Sequence, residues 1–440
     1  MHLDWHEFSE EIAATLVGFH ALGAAMNLGA AWRGLRGGGG ARFRAAAWLA
    51  LAALFAMFAA WAGRQEPPGL PNSIKTAIDA VLGPVTLFFG SLATLTVLFL
   101  GREFFVRPWV AWSALNAAML FLGLSLADPH FAQIVLKPDN LPIVAMIFLL
   151  GFFTWLGAAQ AVENDRRRRE GQSPREKDFA EKTLVWPDLV YIELICMVAL
   201  TTLLIVWSLL VRAPLEPPAN PAVTPNPSKA PWYFVGLQEM LVFFDPAIAG
   251  VVLPSLIILG LALIPFLDFK TEGSGYYSIA GRRFGYVVFM FGFLQLWILL
   301  IVVGTFFRGP NWSFFGLYEP RDPHKMPLLE NVKLAELFWT SWLGLPVPQP
   351  ADDSAGLARF AAIVWREIAG MVVLFAYFGA IPFALARTLM KRHLARMGKA
   401  RFTAMILLLM MMLVLPLKML LRWTCHLSYV VSMPEYYFNF

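Results

Sequence analysis

The 440-residue chain is 58% hydrophobic and 15% charged, with a formal net charge of +5, against roughly 45–50% apolar and about 25% charged residues in soluble domains. That composition excludes a soluble globular protein. The two cysteines, Cys196 and Cys425, form no Cys-x-x-Cys pair and no Cys-x-x-Cys-His motif, so the sequence writes no disulfide framework, zinc site, iron–sulfur cluster or covalent c-type haem.

An apolar run of about 20 residues crosses the hydrocarbon core of a bilayer at 1.5 Å per residue. Reading such runs between charged breaks predicts an all-α, polytopic transmembrane bundle of about ten spans: 12–32, 45–63, 77–100, 109–127, 141–161, 187–211, 248–266, 285–307, 365–386 and 402–421. The first run is expected to stay as a span, because the residues before it carry Asp4, Glu7, Glu10 and Glu11 but no positive n-region. Alternate loops hold 22 of the 35 Lys and Arg residues. By the positive-inside rule those loops face the cytoplasm, and both termini and the loop 212–246 lie outside. The net charge thus reflects topology and gives no reason to expect nucleic acid.

Along the first five spans the chain is rich in Gly and Ala, which suits close helix packing. Only His20 of the seven histidines lies clearly within a span, and a packed histidine is expected there. The pair Asp128 and His130 is no more than a loop pair, and no metal site is expected. The charged stretch 163–182, with Arg166 to Arg169, reads as a basic linker beside lipid headgroups.

Beyond the sixth span, 212–231 contains seven prolines in twenty residues and must be extended and stiff. It leads into Trp232-Tyr-Phe-Val-Gly-Leu-Gln-Glu-Met-Leu-Val-Phe-Phe244, an apolar run too short to span. An interfacial or re-entrant helix fits, and a stiff loop carrying a Trp-Tyr pair and one carboxylate could roof a pocket for an amphipathic, lipid-soluble molecule. Further on, 308–359 forms a long outer segment that could dock a partner head or simply cap the bundle. Leu337 to Leu343 reads as an aromatic interfacial stretch. Trp365-Arg366-Glu367 opens the ninth span, with Arg366 expected to snorkel and Glu367 to pair. The tenth span shows no evident chemistry.

Several pieces resemble the C-terminal half of cytochrome b of bc-type complexes, the part that chloroplast-type complexes carry as subunit IV. They are Trp186-Pro-Asp-Leu-Val-Tyr191 opening a span, Asn220-Pro-Ala-Val-Thr-Pro225, Lys229-Ala-Pro-Trp-Tyr-Phe234, and Gly250 to Asp268 ending Ile-Pro-Phe-Leu-Asp. The resemblance implies a quinol-oxidation site under Pro231, Trp232, Tyr233 and Phe234, with electrons passing to a Rieske iron–sulfur protein and to haem b. The family's motif glutamate is absent, since the stretch reads Ala-Pro-Trp-Tyr, and Glu239 is the candidate replacement as proton acceptor. An inner quinone site would lie near Lys182, Asp188 and Glu193, although Pro187-Asp188 is also an ordinary helix start. Glu193, placed inside the hydrocarbon, calls for a partner.

Cytochrome b holds two haems through two His pairs, and no two histidines here share a helix at such a separation. The chain is therefore expected to ligate no haem, with haem b, a Rieske cluster and c-type haem on partner subunits. The organisation that follows is an N-terminal five-span region (1–162), the basic linker (163–182), a cytochrome b C-terminal-like region (183–310) and an outer loop with two further spans (311–440). The expected protein is a multi-pass subunit of a bacterial cytoplasmic-membrane quinol:cytochrome c, or other-acceptor, oxidoreductase. A structural quinone-binding anchor is the alternative, and a solute transporter fits poorly because no inverted repeat or paired broken helices are evident.

Overall fold

The computed structural model describes residues 5–64, 67–178, 182–210, 218–222, 224–269, 275–326, 330–351 and 355–440, with side chains from residue 12 onward. Among these residues, nine helices are long and apolar enough to cross a membrane: Ile12–Leu35, Gly39–Ala62, Pro108–Ser125, Leu141–Arg169, Val185–Leu210, Ile248–Leu267, Arg283–Phe307, Ile368–Arg387 and Lys399–Cys425. They match the expected spans with one exception. The run predicted as a single span over 77–100 is two helices, Asn72–Val81 and Pro84–Leu100, bent by 89°. Pro84 has no N–H to continue the hydrogen-bond ladder. Leu82 leaves helical geometry with ψ 74°, and Gly83 is extended.

The chain forms two compact units. The first comprises Met1–Asn226, Gly275–Arg283 and Phe315–Asp322; the second comprises Pro227–Ser274, Phe284–Phe314 and Pro323–Phe440.

In the first unit the opening two helices form a hairpin. Its interior is polar at two levels. Asn27 donates to Gly23 O (2.9 Å) and also to Asn116 Oδ1, and Trp112 Nε1 donates to Asn27 Oδ1 (3.1 Å). About two turns away, the His20 imidazole is fully buried between Phe19, Phe55 and Phe58. Gly123 permits this, because a Cβ there would stand 2.5 Å from His20 Cε1. Asp128 is not merely a loop residue: it caps the helix Pro129–Val135, accepting from His130 N and Phe131 N, and pairs with Lys75 at 2.7 Å.

Two short segments from late in the chain belong to this first unit. Asp165 accepts from Ser278 Oγ (2.6 Å), Ile279 N (3.2 Å) and Ala280 N (2.8 Å), while Asn164 donates to Glu176 and to Tyr277 O. Tyr318 shares a 2.7 Å hydrogen bond with Ser125 and stacks on Phe131, and its N–H donates to Asp79. In the stretch expected as a linker, the helix Leu141–Arg169 runs through the first third, and Arg167 pairs with Glu163 and Asp178.

The second unit packs the short helix Trp232–Met240 against Arg283–Phe307 and closes with the C-terminal tail. Leu427–Tyr429 pairs in parallel with Val332–Lys333, and Ser432–Met433 pairs antiparallel with Phe438–Asn439. Arg366 does not snorkel to solvent. It is 7% exposed and donates to Glu435 (2.7 and 3.0 Å), Glu367 (3.0 Å) and Ser432 O (3.0 Å). Glu367 in turn accepts from Ser432 N. Trp339 of the expected interfacial stretch is buried, its indole N–H donating to Arg366 O.

Candidate functional site

The stiff proline segment, of which 212–217 and 223 lie outside the described residues, ends at Pro231, whose fixed φ suits the residue before a helix. The helix Trp232–Met240 then runs for nine residues, as expected of an element too short to span. Gln238 fastens the strap to it, accepting from Ala230 N and donating to Ser228 O, both at 2.8 Å. Lys229 Nζ donates to Thr305 O at 2.8 Å.

The helix differs between its first turn and the rest. Val235, Gly236, Glu239 and Met240 are buried, while Pro231, Trp232, Tyr233 and Phe234 are exposed. The buried face approaches the span Arg283–Phe307 very closely. At Gly304 a Cβ would come within 2.4 Å of Val235 Cγ1, and at Gly236 within 3.2 Å of Ile301 Cγ1. In the first turn the three aromatic rings run on from one another, Tyr233 lying 5.5 Å from Trp232 and 4.5 Å from Phe234 between centroids.

Glu239 is 2% exposed and wholly engaged. Arg308 donates Nη2 to Oε1 (2.6 Å) and Nε to Oε2 (2.9 Å), a bidentate fork, and Trp312 Nε1 donates to Oε2 (3.0 Å). Arg308 also donates to Trp312 O at 2.9 Å. The turn that delivers the indole is strained, with Asn311 at φ 58° and Trp312 at φ 54°. A bulky residue in that region persists only where its surroundings hold it there. The solvated glutamate that an interfacial helix would ordinarily present is not what this position holds.

A second carboxylate marks the end of the same element. Asp245 accepts from Tyr429 Oη and Asn439 Nδ2, each at 2.6 Å. Burial, and next the bond to Asp245, push the Tyr429 hydroxyl up to about 12. Lys418, 3% exposed, sets its ammonium 5.8 Å from the Phe244 ring and 5.5 Å from the Tyr429 ring, and Nζ has no hydrogen-bond partner among the described residues. The tenth span therefore does carry a chemical group, contrary to the sequence expectation. A lone lysine in an apolar run was the available signal. Arg308 had a weaker one, a single cation at the end of a span, with nothing in the sequence to aim it at Glu239.

Lys182, Asp188 and Glu193 are all exposed, at and beyond the start of Val185–Leu210. Among the described residues no group of three or more His, Cys, Asp or Glu side chains converges on a metal position. At His20 the residues do not fit a haem, because the imidazole itself fills the space against Gly123 and three phenyl rings surround it.

Residues 218–316 match the family model for cytochrome b(C-terminal)/b6/petD. The resemblance read from the strap, the aromatic helix and the following span holds over this stretch, while Trp186 to Tyr191 falls outside it. No solved structure matches the chain.

Proposed function

We propose that this chain supplies the quinol-oxidation half-site of a bc-type quinol:cytochrome c, or other-acceptor, oxidoreductase of the bacterial cytoplasmic membrane. Haem b, the Rieske cluster and c-type haem would reside on partner subunits, among them a haem-bearing cytochrome b N-terminal-type chain, and this chain would ligate none. The observation that carries this reading is the exposed triad Trp232, Tyr233 and Phe234, within the family-matched residues and in the first turn of a helix whose later part is locked by Glu239 and Arg308. A quinol ring has two flat apolar faces and two hydroxyls. Aromatic rings on a fixed helix suit the faces, and immobility keeps the hydroxyls at a constant distance from electron acceptors.

Quinol oxidation releases two electrons to one-electron centres on the partners and two protons to water. Glu239 is the proposed carboxylate of the site, and its hydrogen bonds define two roles for it. With the Arg308 fork intact it anchors the helix; it takes a proton only when Arg308 swings away. Its complete engagement also favours a second reading, a quinone-binding anchor subunit without chemistry of its own.

The test compares the assembled wild-type complex with a Glu239→Gln/Arg308→Gln double variant, which removes both charges and leaves neither unpaired. Quinol-driven haem reduction in the wild-type assembly, absent from the isolated chain, supports the catalytic reading. An assembly lacking any quinol-reducible centre leaves the anchor. If the double variant turns over normally, Glu239 accepts no proton; if turnover collapses while assembly holds, the proton route runs through it.

A further inference from the structure

Two stretches of the chain concentrate basic residues, and they differ in what answers the charge. In the first unit, three of the four consecutive arginines are paired within the chain: Arg166 with Glu163, Arg167 with Glu163 and Asp178, and Arg169 with Glu103. In the second unit, the connection between Ile368–Arg387 and Lys399–Cys425 concentrates Arg387, Lys391, Arg392, Arg396, Lys399 and Arg401, while no Asp or Glu occurs anywhere from 368 to 434. All six cations are exposed, and none makes an ion pair among the described residues. Both flanking helices are long and apolar enough to cross a membrane, so their connection lies at a bilayer surface.

A short helix, Lys391–Met397, fixes how this charge is displayed. Met390 and Met397 are buried in a cluster with Phe402, Ile406 and Met410, and Leu394 packs against it. The His393 ring lies 5.0 Å from Phe284 and 6.1 Å from Phe269 between centroids. Positions 390, 393, 394 and 397 thus form an inward stripe at helical spacing, which leaves Lys391, Arg392 and Arg396 together on the outward side. Gly398, at φ 76°, links the helix to the last span in a conformation that favours glycine. Beside these cations the surface is apolar: Leu389 is 84% and Phe383 58% exposed, and the Arg387 guanidinium stands 4.0 Å from the Phe383 ring centroid.

We infer that 387–401 is a docking surface for the headgroups of anionic phospholipids, with phosphates held by Lys391, Arg392 and Arg396 and acyl chains running beside Phe383 and Leu389. Orienting a span does not require this arrangement, because acidic residues count little toward orientation and the basic residues could have been paired, as Arg166, Arg167 and Arg169 are. Cations left unanswered at a bilayer surface attract anionic headgroups, and an arginine fork matches two phosphate oxygens at once. The apolar neighbours decide the source of the phosphate. Phe383 lies on the span one turn before Arg387, at the level of acyl chains, so the surface suits a molecule that is anionic at one end and apolar at the other. Free phosphate would leave Phe383 and Leu389 uncovered. The inference is independent of the quinol reading, since it concerns residues outside the family-matched stretch.

The test reconstitutes the full chain, and separately its native complex, in phosphatidylcholine vesicles. The motionally restricted fraction of spin-labelled phosphatidylglycerol is then compared with that of spin-labelled phosphatidylcholine. Lys391→Gln/Arg392→Gln removes two exposed cations from the surface, and Arg42→Gln/Arg44→Gln removes two exposed cations from the start of Gly39–Ala62. Labelling of Cys425, exposed at the end of the last span, by a membrane-impermeant maleimide reports whether each variant keeps the wild-type orientation. Arg392→Gln alone, which leaves five of the six cations, replaces the double variant if that chain does not insert. A preference for phosphatidylglycerol that falls about fivefold in Lys391→Gln/Arg392→Gln, about twofold in Arg392→Gln and not in Arg42→Gln/Arg44→Gln supports the surface. Equal restriction of the two lipids, or an equal loss in both double variants, overturns it. Displacement of the labelled lipid by millimolar inorganic phosphate overturns the lipid in favour of the free ion. A preference present in the isolated chain and absent from the native complex overturns it in favour of an acidic partner face.

Discussion

Two intramembrane-edge glutamates have opposite fates in this protein. Glu239 sits on a nine-residue helix and is buried under four donor contacts from Arg308 and Trp312. Glu193 sits in the first turn of the helix Val190–Leu210 and is exposed, as are all residues from Tyr191 to Leu210. Both are single carboxylates in apolar runs, and their local sequences do not distinguish them. The difference lies in what the rest of the chain supplies: Arg308 emerges from its span beside the loop helix, whereas no basic residue of the described chain pairs with Glu193. A carboxylate satisfied within the chain reads as an anchor, whereas one in the first turn of a helix needs no partner other than the helix end itself.

The largest effect should come from breaking the satisfied side of this contrast. Arg308→Met leaves Glu239 buried and unpaired, at a cost of about 3–5 kcal/mol. Thermal unfolding in detergent should show it, and adding Glu239→Gln should recover most of the loss. A result in which the single substitution is silent would mean the fork contributes no stability and the loop helix is held by packing alone.

The packing contribution is tested next. Gly304→Val puts a side chain where Val235 Cγ1 already stands 2.4 Å from the first added carbon. The expected cost is about 1–3 kcal/mol, together with displacement of Trp232 to Phe234, read as altered tryptophan fluorescence and weaker quinol binding. A smaller effect attends the other end of the helix. Tyr429→Phe removes one donor from Asp245 and should cost about 1 kcal/mol in thermal stability. Asp245→Asn should cost more, because its amide nitrogen would face the donor of either Tyr429 or Asn439.

The mildest probe is pH. The Arg366 fork holds the Glu435 carboxyl below its ordinary value of 4.5. A depressed carboxylate contributes stability that is complete above that ordinary value and is lost as pH falls through the depressed one. Hydrogen exchange in 427–440 should therefore be slow at neutral pH and accelerate under acid before the spans respond. Glu435→Gln should show the faster exchange already at neutral pH.

Much of the architecture was legible in the chain itself. Apolar run length located nine spans, and the density of prolines before Pro231 announced a stiff strap followed by a helix too short to cross. The bend in the third predicted span was not legible, because hydropathy cannot see that Gly83-Pro84 interrupts the hydrogen-bond ladder while leaving the run apolar. Arg366 was misjudged as a snorkelling end residue, since its partner Glu435 lies 69 positions away. Lys418 was passed over although an ionisable residue within a span is itself a signal.

The sequence by itself determined the membrane class, the helical spans and the resemblance carried by 218–316, because these rest on local hydrophobicity, backbone chemistry and short motifs. Only the tertiary structure decided that Glu239 is a clamped anchor and that Asp245 is tied to the C-terminal tail. Ion-pair partners are chosen by distance in space, and in a helical bundle residues dozens of positions apart become neighbours through packing that no local pattern encodes.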